Sequence, residues 1–254
     1  LLLLSSCGSV PLTGRKQVLL VSDQEVLSSS LTQYSDYMKS AKKSSSKDGA
    51  AMVTRVGKKI AAATEQYLRN NGLESEIKNF AWEFNLVNDP QVNAFCMPGG
   101  KIVVYEGLMQ LVSSDDELAV VVGHEVAHAV AKHSNERMSQ QLMAQYGAQI
   151  LGQALSNKSA AVQKIGASVY GLGAQYGVML PFSRKHESEA DYMGLVFMAM
   201  AGYNPAVAVN FWQKMSAGKS GSTPEFMSTH PSDATRINEI KQHLPEIEKY
   251  RVKK

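Results

Sequence analysis

Five consecutive residues, His124-Glu125-Val126-Ala127-His128, carry the most explicit chemistry in this chain. On a helix, positions four apart lie one turn apart on the same face, so both imidazoles can reach one ion. Glu125 directly follows the first histidine and can lean over a water on that ion as general base. The bland alternative is a pair of polar residues on a surface helix. The neighbours are Val, Ala and Gly, however, so the histidines stand in an apolar helix. Burying unpaired polar groups there costs roughly 2–7 kcal/mol, a penalty a metal removes.

A zinc site with an open position needs a third protein ligand. His133 lies nine residues past His124, about two and a half helical turns, which predicts that it points away from the pair toward the surface. The segment from Ser183 to Asp191 offers Glu187 and Asp191 at i,i+4, ahead of an apolar stretch through Leu195, Val196 and Met198. Glu187 as ligand and Asp191 as acceptor for a ligand imidazole N–H would complete the site. The competing reading is a charged first turn, because carboxylates favour helix N-termini. Glu189 falls on another side of that helix and fits this second reading better. His230, in Thr229-His230-Pro231, either serves the site or caps a helix whose first position is proline.

The elements that must hold these residues follow from periodicity. Ser114 and Glu117 have capping-box spacing and open a helix through Leu118, Val121, Val122, Val126 and Val130. Ser22 and Glu25 repeat the signal ahead of Leu27, Leu31, Tyr34 and Met38. Val53, Val56, Ile60, Ala63 and Tyr67 predict another helix, stopped by Asn70-Asn71-Gly72. Phe80, Trp82, Phe84 and Leu86 alternate with Ala81, Glu83 and Asn85, the period of a half-buried strand. Val92 to Phe95 and Ile102 to Tyr105 read as two further strands around Pro98-Gly99-Gly100. Ala41 to Gly49 is Lys/Ser-rich and predicts a linker. Beyond Leu111 the pattern is almost wholly helical, so the fold class is α+β, mostly helical. From Asn135 to Leu180, polar residues such as Gln149, Gln153, Lys158 and Lys164 interrupt every apolar run well short of bilayer length. Met138, Leu142, Tyr146, Ile150 and Leu155 there predict a packed face or a lid.

Composition narrows the class. The 254 residues carry 26 Lys+Arg against 23 Asp+Glu, a formal charge of +3, with 44% hydrophobic and 19% charged residues. That excludes a wholly disordered chain. The charge is too small and too scattered for nucleic acid, and Lys42-Lys43 and Lys58-Lys59 read as solvated surface. Two cysteines cannot build a disulfide scaffold. Leu4-Ser5-Ser6-Cys7 resembles a bacterial lipobox, in which the cysteine is lipidated and becomes the mature first residue. On that reading Cys96 is the single free thiol of the mature chain. The predicted organisation is residues 1–7 as a signal-peptide remnant, 8–49 as an arm and helix, and 50–254 as the catalytic domain. No feature of the sequence specifies an oligomeric state.

Taken together, these motifs resemble the HtpX/BepA-like zinc peptidases, family forty-eight of the metallopeptidases, which also holds the type-I CAAX prenyl endopeptidases. The resemblance rests on Asn93-Ala94-Phe95 with Pro98-Gly99-Gly100, Gly107-Leu108, Gly123 to His128, Glu187 with Ala190-Asp191 and Gly194, and Thr229-His230-Pro231 with Arg236. Pro11-Leu12-Thr13-Gly14-Arg15 is similar to the opening segment of soluble or single-anchor members. The resemblance implies a gluzincin-like domain with a small sheet beside the active-site helix and one zinc ion held by His124, His128 and Glu187. It implies Glu125 as base, His230 as electrophilic helper or as an imidazole that can displace water from the metal, and an extended polypeptide substrate along Asn93, Ala94 and Phe95. With the Cys7 anchor it implies an envelope protein, lipid-attached on the periplasmic side of the outer membrane. Cys96 stands where the family usually has a small apolar residue. It reads as core-facing, with a thiol directed at zinc as the alternative. A proteolytically silent zinc-holding chaperone is the rival function, and it would not need Glu125.

Overall fold

Alternation along three short strands sorts the interior into two layers. The computed structural model describes residues 7–143, 183–217, 224–230 and 234–252. An N-terminal hairpin pairs β1 (Cys7–Ser9) with β2 (Lys16–Val18), and the main sheet holds β3 (Glu83–Val87), β4 (Ala94–Met97) and β5 (Lys101–Tyr105) in the order β3-β5-β4. β3 runs parallel to β5, and β4 runs antiparallel to it with Ala94 opposite Val104 and Cys96 opposite Ile102. Leu86, Ala94, Cys96, Ile102 and Val104 face the larger core, while Val87, Phe95, Met97, Val103 and Tyr105 face a second cluster. Period-2 side-chain alternation makes that division. Cys96 is therefore core-facing, as its apolar setting predicts.

Helices cover both faces. α1 (Asp23–Ser40) and the helix over residues 133–143, here α6, close the smaller cluster with Val26, Tyr34, Met138 and Leu142. The packed face expected of Met138 and Leu142 is thus present, whereas Tyr146, Ile150 and Leu155 lie outside the described residues. α2 (Lys47–Asn70) lays Val53, Val56, Ile60 and Leu68 against the other face, and Gly57 lets it approach so closely that a Cβ would sit 2.2 Å from the Phe84 ring. α3 (Glu74–Ile77) and α4 (Glu106–Met109) are single turns. The helix α5 (Asp115–Val130) lies next to β4 and packs on α7 (Arg184–Met200). Three more α-helices, α8 (Val207–Ala217), α9 (Glu225–Thr229) and α10 (Ala234–Ile247), and a 3-10 turn at Glu248–Tyr250 finish the described fold.

Three expectations are corrected. Residues 41–49 are no simple linker: Lys43 bridges to Val87, Ser44 N–H donates to Leu86 O, and α2 already begins at Lys47 with Ser46 as its cap. β3 starts at Glu83 rather than Phe80, because Phe80 and Trp82 stack on one another and Trp82 covers Gly100. At α5, Ser114 caps as expected, but Glu117 reaches the N–H of Ser113 instead of closing the box on Ser114. Among the described residues no helix is long and apolar enough to cross a membrane.

Candidate metal centre

α5 is wholly buried from Leu118 to Ala127, so both of its histidines project into the interior. They face α7 because the two helices cross at paired glycines. A Cβ on Gly123 would lie 2.8 Å from Gly194 O, and one on Gly194 2.7 Å from His124 N. Backbone that close places the first turn of α7 against the histidine pair. Ser183 caps that turn by accepting from His186 N–H.

His124 Nε2 and His128 Nε2 stand 3.0 Å apart. Glu187 Oε2 is 3.4 Å from the first and Oε1 3.4 Å from the second. With a ring nitrogen of His230 these ligand atoms all lie within 4.8 Å of one another, and all four residues are buried. The donor set fits a divalent metal on three observations. Two imidazole nitrogens aim at each other with their opposite nitrogens already engaged, His124 Nδ1 by Asp191 Oδ1 at 2.9 Å and His128 Nδ1 by His133 Nδ1 at 2.8 Å. Glu187 Oε1 is buried and accepts no hydrogen bond. Two imidazoles and a carboxylate are ligands that zinc takes in open, catalytic sites. Cys96 is not part of the cluster; burial pushes its thiol well up, which leaves it unreactive.

Glu125 projects beside the cluster toward the sheet. Its Oε2 accepts the main-chain N–H of Cys96 at 3.0 Å, and its buried Oε1 accepts no hydrogen bond but lies 3.4 Å from His230 Nε2. Burial pushes the Glu125 carboxyl up to about 8, against the lowering pull of His124 and the Cys96 N–H. A carboxyl in that range can both accept and return a proton near neutral pH. Burial works against protonated His124, yet Asp191 and Glu187 raise it to about 9. Burial would also raise Glu187, but His230, His124 and Arg236 hold it at about 2. His230 stacks on Phe226 with ring centroids 4.4 Å apart, and its Nδ1 meets Thr229 Oγ1 at 2.9 Å.

The supports reach further than the motif. Arg236, buried on α10, donates Nε to Asp191 Oδ2 and Nη1 to Glu187 Oε2, both at 2.7 Å. It therefore holds the carboxylate behind His124 and the one beside it. His133, expected at the surface, is fully buried against His128 and Glu189. The helical count fails because α5 ends at Val130 and Lys132 adopts a left-handed φ of 57°, which swings the chain back. Glu189, expected as an ordinary first-turn charge, is likewise buried and receives His133, Thr13 and Arg15. Burial pushes Glu189 up, and those hydrogen bonds outweigh it and leave the carboxyl at about 2. Arg236 was visible in sequence only as a matching residue without a role, and Glu136, which Arg15 and His186 Nε2 both meet, left no signal there. Asn93, Ala94 and Phe95 lie at β4, the edge of the sheet beside α5, with their side chains buried.

The sequence profile described as Peptidase family M48 matches residues 54–244, well over half of the chain. This chain belongs to peptidase family M48. Several named proteins align with it. Mitochondrial metalloendopeptidase OMA1 of Schizosaccharomyces pombe is 36% identical over 205 residues, covering 77% of this chain and 53% of the relative. The Arabidopsis thaliana protein of the same name is 40% identical over 168 residues, covering 66% and 33%. The Beta-barrel assembly-enhancing protease of Yersinia pestis is 33% identical over 174 residues, covering 64% and 36%. The chain spans about half the length, or less, of these relatives.

Proposed function

We propose that this chain is a zinc-dependent metalloendopeptidase in which His124, His128 and Glu187 hold the ion and Glu125 is the base. The observation that carries the reading is the convergence of two imidazole nitrogens and a carboxylate beside a second, buried carboxylate with an unengaged oxygen. Bound zinc supplies a Lewis acid that polarises the scissile carbonyl and acidifies water. Glu125 Oε1 takes a proton from water and delivers it to the leaving nitrogen, which its raised affinity for protons permits. Cys96 N–H, through Oε2, fixes which carboxylate oxygen does this. His230 Nε2 lies 3.4 Å from Glu125 Oε1; its Nδ1 hydrogen is held by Thr229 Oγ1 and Phe226 O, so it donates to a developing oxyanion only as the imidazolium. Arg236 and Asp191 keep His124 oriented, as carboxylates behind ligand histidines do.

An extended polypeptide along the outer edge of β4, at Asn93, Ala94 and Phe95, is the substrate this arrangement suits. A sheet edge binds main chain with little regard to side chains, which favours unfolded or misfolded protein. The lipobox-like Leu4-Ser5-Ser6-Cys7 supports a lipid anchor at Cys7 and a place at the cell envelope, on the periplasmic side of the outer membrane; Cys7→Ala would then lose membrane partitioning.

The decisive experiment measures bound metal and cleavage of an unfolded protein for wild type and Glu125→Gln. One zinc in both, with cleavage reduced at least 100-fold in the variant, is expected. Zinc in both with no cleavage by the wild type supports the holding protein instead. No zinc in either overturns the centre.

A further inference from the structure

The turn of the N-terminal hairpin lies outside the residues matched by the family profile, yet exposed Thr13 and half-buried Arg15 both reach the buried Glu189. Thr13 Oγ1 donates to Glu189 Oε1 at 2.5 Å, and Arg15 Nε donates to Glu189 Oε2 at 2.7 Å. The remaining nitrogens of Arg15 form a fork on Glu136, Nη1 to Oε1 at 2.9 Å and Nη2 to Oε2 at 2.6 Å. Glu189 Oε2 also faces His133 Nε2 at 2.9 Å, and His133 Nδ1 faces His128 Nδ1 at 2.8 Å.

The proton positions in this chain follow one from another. Glu189, paired with a guanidinium, only accepts, so the hydrogen between it and His133 sits on His133 Nε2. Neutral His133 then presents a lone pair at Nδ1. The hydrogen in the next contact must belong to His128 Nδ1, which leaves the lone pair of His128 at Nε2, toward Glu187 and His124. A histidine ligand's tautomer is set by the bond its other nitrogen makes.

We infer that Thr13 and Arg15 are positioning residues for the metal centre, acting through Glu189 and His133 to fix the tautomer and orientation of His128. This rests on the reading of His124, His128 and Glu187 as metal ligands. It links the hairpin that follows Cys7 to the centre across 113 positions of sequence, Arg15 to His128.

The test uses the full chain and two readouts besides activity: zinc affinity by competition with a chromophoric chelator, and the visible spectrum of the cobalt-substituted protein. Arg15→Ala and His133→Ala are expected to weaken zinc about 10–100-fold and to shift the cobalt bands. His133→Asn places a carboxamide oxygen where Nδ1 accepts, and should recover most of the affinity. Arg55→Ala, which breaks only a surface pair with Asp115, should change nothing. Should Arg15→Ala fail to fold by circular dichroism, Thr13→Val removes the hydrogen bond to Glu189 and the long one from Arg15 N–H, and is expected to move the same bands by less. Folded Arg15→Ala and His133→Ala proteins with wild-type affinity and unaltered bands overturn the inference. A wild-type chain that binds neither ion overturns the metal centre itself, and the positioning role with it.

Discussion

Gly123 and Gly194 touch backbone to backbone where α5 crosses α7, with a Cβ on either placed within 3 Å of the other helix's main chain. The neighbour of Gly123 is His124, and Gly194 lies two turns beyond Glu187. The crossing therefore sets the spacing between the histidine pair and its carboxylate. Because the obstructing atoms are backbone, no rotamer change can relieve an added methyl.

Gly194→Ala should destabilise the fold by about 1–3 kcal/mol, the usual cost of overpacking. It should also weaken metal binding, since the helices must part where the ligands meet. Urea unfolding alongside metal titration checks both. A variant with wild-type stability and affinity would mean that the helices slide apart freely there.

Arg236 is buried and answers two buried carboxylates. Arg236→Met removes that charge and leaves Asp191 and Glu187 facing each other's field, which should cost about 3–5 kcal/mol. The loss should shrink in excess zinc, because a divalent ion restores part of the missing positive charge. Thermal melts with and without zinc give the comparison; equal losses in both would deny the electrostatic account.

Lys101 carries a nearly buried ammonium that donates to Ala81 O at 2.5 Å and to Glu83 Oε1 at 2.6 Å. The Lys101 hydrogen bond lowers the Glu83 carboxyl, against burial, which raises it. A lowered folded value means the stabilisation is complete above the ordinary 4.5 and is lost as pH falls through the folded value. Glu83 is half exposed, so Glu83→Gln should cost only about 1 kcal/mol at neutral pH. The gap between wild type and variant should close below pH 4.5, as urea midpoints across pH would record. A gap that widens on acidification contradicts the assignment.

The local rules held wherever a residue's neighbours in sequence are its neighbours in space. A four-residue spacing on a helix puts His124 and His128 on one face whatever surrounds them, and the same spacing aligns Glu187 with Asp191. Strand alternation set Phe84 and Leu86 apart from Glu83 and Asn85 before any packing was known, and both apolar residues join the larger core. Serine caps at Ser22 and Ser114 marked helix starts for the same reason, since a cap bonds within one turn.

What periodicity could not supply was any contact that depends on where a helix stops and what then folds back. His133 was assigned to the surface by extending α5 at 3.6 residues per turn, but the helix ends at Val130 and Lys132 reverses the chain. Glu189 looked like a solvated charge because its partners Thr13 and Arg15 stand 176 and 174 positions away. Arg236 carried no assigned role until α10 packed beside α7. Hydrogen bonds between distant segments leave no period in a sequence. Thus the chain's local order determined which side chains could grip an ion, and only the packing of α5, α7, α10 and the N-terminal hairpin decided which of them are held in place to do so.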